Sequence, residues 1–182
     1  MSKQMFRIKF TEIKNCQKQL DKVSGLYCYH VNRNLKYVGI SNNLWHRFEG
    51  GYLKECSTQH RNSKLMQLIE TNQNDIEVIF KPINKELLKE EETKFIQDWI
   101  PLYNAKENPR YEIRPIQKVI GRFVNKENRE VTFSEVREYL FHKWHSEVSY
   151  EKIDEALRDE KHNLGKYCSK KRGQEVLMPK RK

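Results

Sequence analysis

Apolar and charged positions alternate near the start of the chain, with Phe6, Ile8 and Phe10 on one side and Arg7 and Lys9 on the other. A period of two predicts a short strand or an extended arm. Residues 11–20 are polar with sparse apolar positions, a weak helix at best. Two runs rich in aromatic and β-branched residues follow, at 25–31 (GLYCYHV) and 35–40 (LKYVGI), split by the turn-forming Asn32-Arg33-Asn34. That pattern predicts a β-hairpin. Ser41 and Asn42-Asn43 supply helix-start chemistry ahead of Leu44, Trp45 and Phe48, and Gly50-Gly51 ends that helix. A second helix is expected over 61–70, with Leu65, Met66, Leu68 and Ile69 on its buried side. Ile76, Val78 and Phe80 alternate through 75–80, a third strand. Asn84 can cap a longer helix carrying Leu87, Leu88, Phe95, Ile96 and Trp99, stopped by Pro101.

Beyond a polar stretch at 106–115 that reads as a linker, the helical period returns. Helices are expected over 116–123, from the capping box Thr132–Glu135 through Val136, Leu140 and Trp144, and after Ser149 with Ile153 and Leu157 inside. From Asn163 the helical period is lost, and 165–170 with 175–178 can form a two-stranded ribbon. The expected fold class is α+β. A small antiparallel three-stranded sheet flanked by helices is followed by a mostly helical domain on a winged-helix-like plan. The expected division is an N-terminal extension (1–24), a sheet domain (25–105), a linker (106–115) and a helical, basic domain (116–182).

Charge adds a partner class. The chain of 182 residues has a formal net charge of +10 and a pI near 9.4, a balance that attracts polyanions, chiefly nucleic acid. No long amphipathic basic helix favours a membrane surface instead, and no apolar run approaches the roughly 18–20 residues of a membrane span. The N-terminus lacks the apolar stretch of a secretory signal. Cys16, Cys28, Cys56 and Cys168 form no Cys-x-x-Cys pair, and such scattered thiols fit a reducing cytoplasm.

The candidate chemistry sits in the hairpin and the helices after it. Gly25-Leu26-Tyr27 lies on one strand and Tyr37-Val38-Gly39 on the next, and a tight hairpin can bring both tyrosines to one face. Arg47 follows on the next helix, His60 precedes the helix after that, Glu92 lies on the long helix, and Asn104 closes the segment. A guanidinium can hold a phosphate by two parallel bonds and keeps its charge, which suits Arg47. A carboxylate can hold a hard divalent ion that keeps several of its waters, which suits Glu92. Within Glu90-Glu91-Glu92, the phase relative to Phe95 and Ile96 selects Glu92, with Glu91 as the alternative. His60 can pass a proton or hold phosphate. Asn104 can orient Glu92 or a backbone group by its amide.

This ordered set resembles the GIY-YIG nuclease superfamily over roughly residues 25–105, with Leu26 and Val38 as conservative departures in the name motif. His60-x-x-x-Lys64-Leu65 is similar to the histidine segment of phage homing members, and 92–104 to the nuclease domain of the bacterial excision-repair incision subunit. The resemblance implies a GIY-YIG-like sheet domain and a metal-dependent DNA endonuclease using one Mg²⁺ or Mn²⁺ per active site, held by Glu92. It implies that Tyr27 takes a proton from water with Tyr37 in support, and that Arg47, His60 and Asn104 complete the site. A restriction or homing enzyme is the expected role. A non-catalytic nucleic-acid-binding protein on a degenerate nuclease fold is the alternative. Lys36, Lys166, Lys170, Lys171 and Arg172 are the expected DNA contacts. A homodimer would serve double-strand cleavage.

Overall fold

The structure, a computed structural model, describes residues 4–53, 63–144, 147–159, 164–170 and 174–180. The chain divides into two compact units. Met1–Ile96 with Pro101–Asn104 form the first, and Gln97–Ile100 with Ala105–Lys182 the second.

The first unit is a four-stranded antiparallel sheet, where the sequence predicts three strands. Its order is β1 (Phe6–Lys9), β4 (Ile76–Pro82), β2 (Gly25–Val31), β3 (Asn34–Ser41). The added strand is the alternating segment at the start. It pairs with β4 in the register Phe6↔Phe80 and Ile8↔Val78, and the Phe6 ring stacks on Phe80 with centroids 5.4 Å apart. Without it β4 would present an open edge. The stretch after it is also part of the core. A 3-10 turn (Phe10–Asn15) and the short α1 (Gln17–Leu20) bury Phe10, Ile13 and Leu20. Their spacing is too irregular for a helical stripe, which is why these residues read as an extension.

β2 and β3 form the predicted hairpin. Asn32 and Arg33 carry φ of 50° and 65°, the left-handed pair that a two-residue turn requires to match strand twist. One sheet face carries Tyr27, Tyr29, Val78 and Phe80 and is covered by α2 (Leu44–Gly51) and α3 (Ser63–Asn72) through Leu44, Phe48, Leu65 and Ile69. The other carries Leu26, Cys28 and Val38 and is packed against Phe95 and Ile96. These belong to α4 (Leu88–Trp99), which a 3-10 turn (Lys85–Leu87) precedes. Asn84 stands at the N-cap of that turn without a side-chain cap bond.

In the second unit, α5 (Ile113–Glu127), α6 (Phe133–Trp144) and α7 (Tyr150–Arg158) accompany a three-stranded sheet of order β5 (Val131–Thr132), β7 (Val176–Met178), β6 (Ser169–Lys170). The expected ribbon therefore gains β5 as a third strand. α5 begins earlier than its apolar run, because Pro115 falls in the first turn, where its missing N–H is no loss. Part of the expected linker is thus helical, and Asn108 before it is fully buried. The capping box forms. Thr132 N donates to Glu135 Oε2 at 2.7 Å and Glu135 N to Thr132 Oγ1 at 3.2 Å. Among the described residues no helix is long and apolar enough to cross a membrane.

Candidate active site

Four phenols gather on the α2-facing side of the hairpin. The register sets Tyr27 opposite Gly39 and Tyr29 opposite Tyr37. Tyr27 therefore faces a residue with no side chain, and its ring lies across the strand into that gap. A Cβ on Gly39 would stand 2.5 Å from both Cζ and Oη of Tyr27. The ring cannot retreat. It is 1% exposed and packs edge-on against Phe48 at 5.3 Å and Tyr52 at 6.0 Å. Gly39→Ala is therefore expected to cost about 1–3 kcal/mol through overpacking, read as a lower Tm. An unchanged Tm would show that the Tyr27 ring is free to swing away.

Tyr52 joins the site although the sequence reading passed over it. Its hydroxyl lies 2.9 Å from that of Tyr27, and it is also hydrogen-bonded to Tyr37. α2 ends at Gly51, as the glycine pair predicts, and Tyr52 is the C-cap residue just beyond it, four positions after Phe48.

Burial dominates the electrostatics. It pushes the Tyr27 and Tyr29 phenols well above their ordinary value, and the neighbouring phenols add to this while Arg47 opposes it. Tyr37 is only partly buried. Burial first and then the charge of Glu92 raise it, while Arg47 and the hydrogen bonds with Tyr52 and Tyr27 pull it back. Tyr27, Tyr37, Arg47, Glu92 and Tyr52 thus share one electrostatic neighbourhood. Tyr29 Oη is buried with no hydrogen-bond partner among the described residues. Tyr29→Phe removes only an unpaired polar atom, so the Tm is expected to hold or rise. A loss of more than about 1 kcal/mol would mean that a bound water satisfies this hydroxyl.

Arg47 is placed by the start of α2, where Asn43 Oδ1 accepts from His46 N at 3.2 Å and Asn43 Nδ2 donates to Asp21 Oδ1 at 2.9 Å. A cleft of about 670 Å³ opens there, lined by Asn42, His46, Arg47 and Leu88 among others. His46 is a second residue that the sequence reading did not select. On α4, the Glu92 side chain is only 14% exposed and meets Lys89 Nζ at 2.6 Å. Glu91 instead pairs with Lys81 of β4 at 2.6 Å. Both carboxylates therefore face protein, and Glu92 is the one whose charge reaches Tyr37.

The Asn104 amide goes to backbone. Its Oδ1 accepts from Val38 N and its Nδ2 donates to Val38 O, each at 2.8 Å. With Tyr103 N donating to Lys36 O at 2.9 Å, this segment is tied to the outer edge of β3. Asn104 thus holds the strand that carries Tyr37 and Gly39. Lys36 is partly buried on that strand. Lys166 and Lys170 are exposed in the second unit, and the Lys170 ammonium sits 5.3 Å from the Phe133 ring centroid. His60, Lys171 and Arg172 lie outside the described residues.

Among the described residues no group of three or more His, Cys, Asp and Glu side chains could hold a metal. A zinc site of three or four nitrogen or sulfur ligands has no support there. Glu92, the carboxylate whose charge reaches Tyr37, is a donor of the type taken by a hard divalent cation that keeps most of its own waters. Comparison of the chain with family models, with curated proteins and with solved structures finds no match.

Proposed function

We propose that the protein is a metal-dependent DNA endonuclease of the GIY-YIG type that hydrolyses phosphodiester bonds. The single observation that carries this reading is that Tyr37, the partly exposed phenol packed on Tyr27 at 6.3 Å, feels both the guanidinium of Arg47 and the carboxylate of Glu92. An ordinary tyrosine core has no need of both charges.

In this reading Arg47 holds the scissile phosphate and offsets the charge that builds on its oxygens in the transition state. Glu92 would hold a Mg²⁺ or Mn²⁺ ion, which supplies Lewis-acid polarisation of a phosphoryl oxygen when bound. Lys89, whose side chain is 75% exposed, is free to swing away from Glu92. The resemblance assigns proton acceptance from water to Tyr27. Tyr27 is sealed from solvent and held neutral, whereas Tyr37 is the partly exposed phenol of the pair. We therefore place Tyr37 next to the water. Tyr52 and Tyr27 stand behind it, since a hydroxyl can accept one proton and donate another. Asn104 positions Tyr37 through the Val38 backbone.

The second unit is read as winged-helix-like. Helix, strand, two helices and a final strand pair occur in that order, and the strand order is β5-β7-β6. The role is that of a restriction or homing enzyme acting on duplex DNA. One such site cuts one strand, so concerted double-strand cleavage requires two copies of the chain. Nicking of supercoiled plasmid tests the activity, with nicked circles expected only when Mg²⁺ or Mn²⁺ is present. Cutting that persists in EDTA would reject the metal role, and no cutting of any duplex would reject the enzyme.

A further inference from the structure

We infer that the second unit grips the DNA phosphate backbone through the edge formed by Lys126, Lys166 and Lys180, and not through α7. The inference rests on duplex DNA being the partner, not on the cleavage chemistry.

In a winged-helix-like plan, α7 would be the helix offered to the major groove. Its charges argue against that. Among the described residues, three cations on it or beside it are engaged. Arg137 Nε meets Asp154 Oδ1 at 2.6 Å, Arg158 meets Glu175 at 2.8 Å, and Lys152 Nζ donates to Arg110 O at 2.7 Å. Glu151 and Glu155 remain exposed. That surface repels phosphate, and removing acids from it creates no contact that is absent now.

Other cations of this unit are also neutralised. Lys118 is paired with Glu107, and Arg122 and Lys143 both face Asp98, at 3.7 and 3.2 Å. The C-terminal end of α5 differs. Lys126 is exposed there, and no carboxylate among the described residues pairs with Lys126, Lys166 or Lys180. Three observations make this a built edge rather than a loose tail. Asn125 Nδ2 donates to Tyr167 O at 2.8 Å, Asn125 Oδ1 accepts from Lys180 N at 2.8 Å, and Lys180 Nζ donates to Lys166 O at 2.9 Å. Gly121 lets the Tyr167 backbone lie directly on α5, because a side chain there would collide with Tyr167 Cβ. Lys166 and Lys180 are thus fixed beside the end of α5. Among the described residues, the Lys166 carbonyl is the one acceptor that Lys180 Nζ gives up when it turns to a phosphate. Contacts of this kind add affinity and salt dependence without reading sequence.

The test is fluorescence anisotropy of the full chain with labelled duplexes of two unrelated sequences, in EDTA, across a range of salt. The variants are the triple Lys126→Gln, Lys166→Gln, Lys180→Gln and, on α7, the double Glu151→Gln, Glu155→Gln. Thermal melts confirm that both fold. The triple variant is expected to weaken binding to both duplexes alike. It should also lower the slope of log K against log salt by about 2.7, at about 0.9 per lost phosphate contact. The α7 variant should leave that slope unchanged. A wild-type slope in the triple variant, or binding tightened about tenfold or more in the α7 variant, would overturn the inference. Either result is compatible with full plasmid cleavage, and a lysine-dependent slope without cleavage would reject the nuclease reading alone. A triple variant that loses binding to duplex RNA but not to duplex DNA would overturn the choice of partner.

Discussion

Glu92→Gln is expected to abolish cleavage, by at least about 10³-fold, while duplex affinity in EDTA stays at the wild-type level. Glutamine keeps the shape and removes the charge. Glu92 is the carboxylate whose charge reaches Tyr37, and its ion-pair partner among the described residues is the exposed Lys89. Losing it costs a cation several kcal/mol of transition-state stabilisation, and each 1.4 kcal/mol is about tenfold in rate. Glu91→Gln is the control. Its carboxylate holds Lys81 on the sheet, so the change should lower stability slightly and leave cleavage in place. Equal losses in both variants would show that the acidic face acts only in folding.

Arg47→Ala is expected to lower the cleavage rate about 10²–10³-fold, the usual cost of removing one preorganised stabiliser of transition-state charge. Arg47→Lys should recover only part of this, because an ammonium cannot make two parallel bonds to a phosphate. A second readout separates this role from packing. Arg47 pulls the phenols of Tyr27, Tyr29, Tyr37 and Tyr52 downward. Without its charge those phenols rise further. If a tyrosinate accepts the proton, the rising limb of the pH–rate profile moves to higher pH in Arg47→Ala and stays near wild type in Arg47→Lys. A profile shifted downward in Arg47→Ala would contradict the placement.

Local pattern made part of this architecture legible. The hairpin followed from β-branched and aromatic runs about Asn32-Arg33, and β4 from the alternation of Ile76, Val78 and Phe80. The capping box at Thr132 and the cap at Ser149, whose Oγ accepts from Lys152 N at 3.3 Å, followed from side-chain chemistry close in sequence. Long-range pairing was not legible. β1 is four residues long, and only its register with β4, some 70 positions away, distinguishes a strand from an arm. The Asn104 amide finds Val38 across 66 positions, so its residue type announced a polar role without its target. Tyr52 was not legible because it stands just past the glycine pair that ends α2, and only the fold shows that its ring packs back on Tyr27 and Phe48. The candidate site was legible as an ordered set of residue types. Which phenol meets solvent was not, because burial depends on the register that places Tyr27 over Gly39.

The most direct test is cleavage of supercoiled plasmid by the wild type and by Glu92→Gln, each with Mg²⁺, with Mn²⁺ and with EDTA. A metal-dependent endonuclease requires that the wild type cut only with metal and that the variant bind the plasmid without cutting it. Binding without cleavage by both proteins under every condition would contradict it, and would leave a nucleic-acid-binding protein on an inactive nuclease fold.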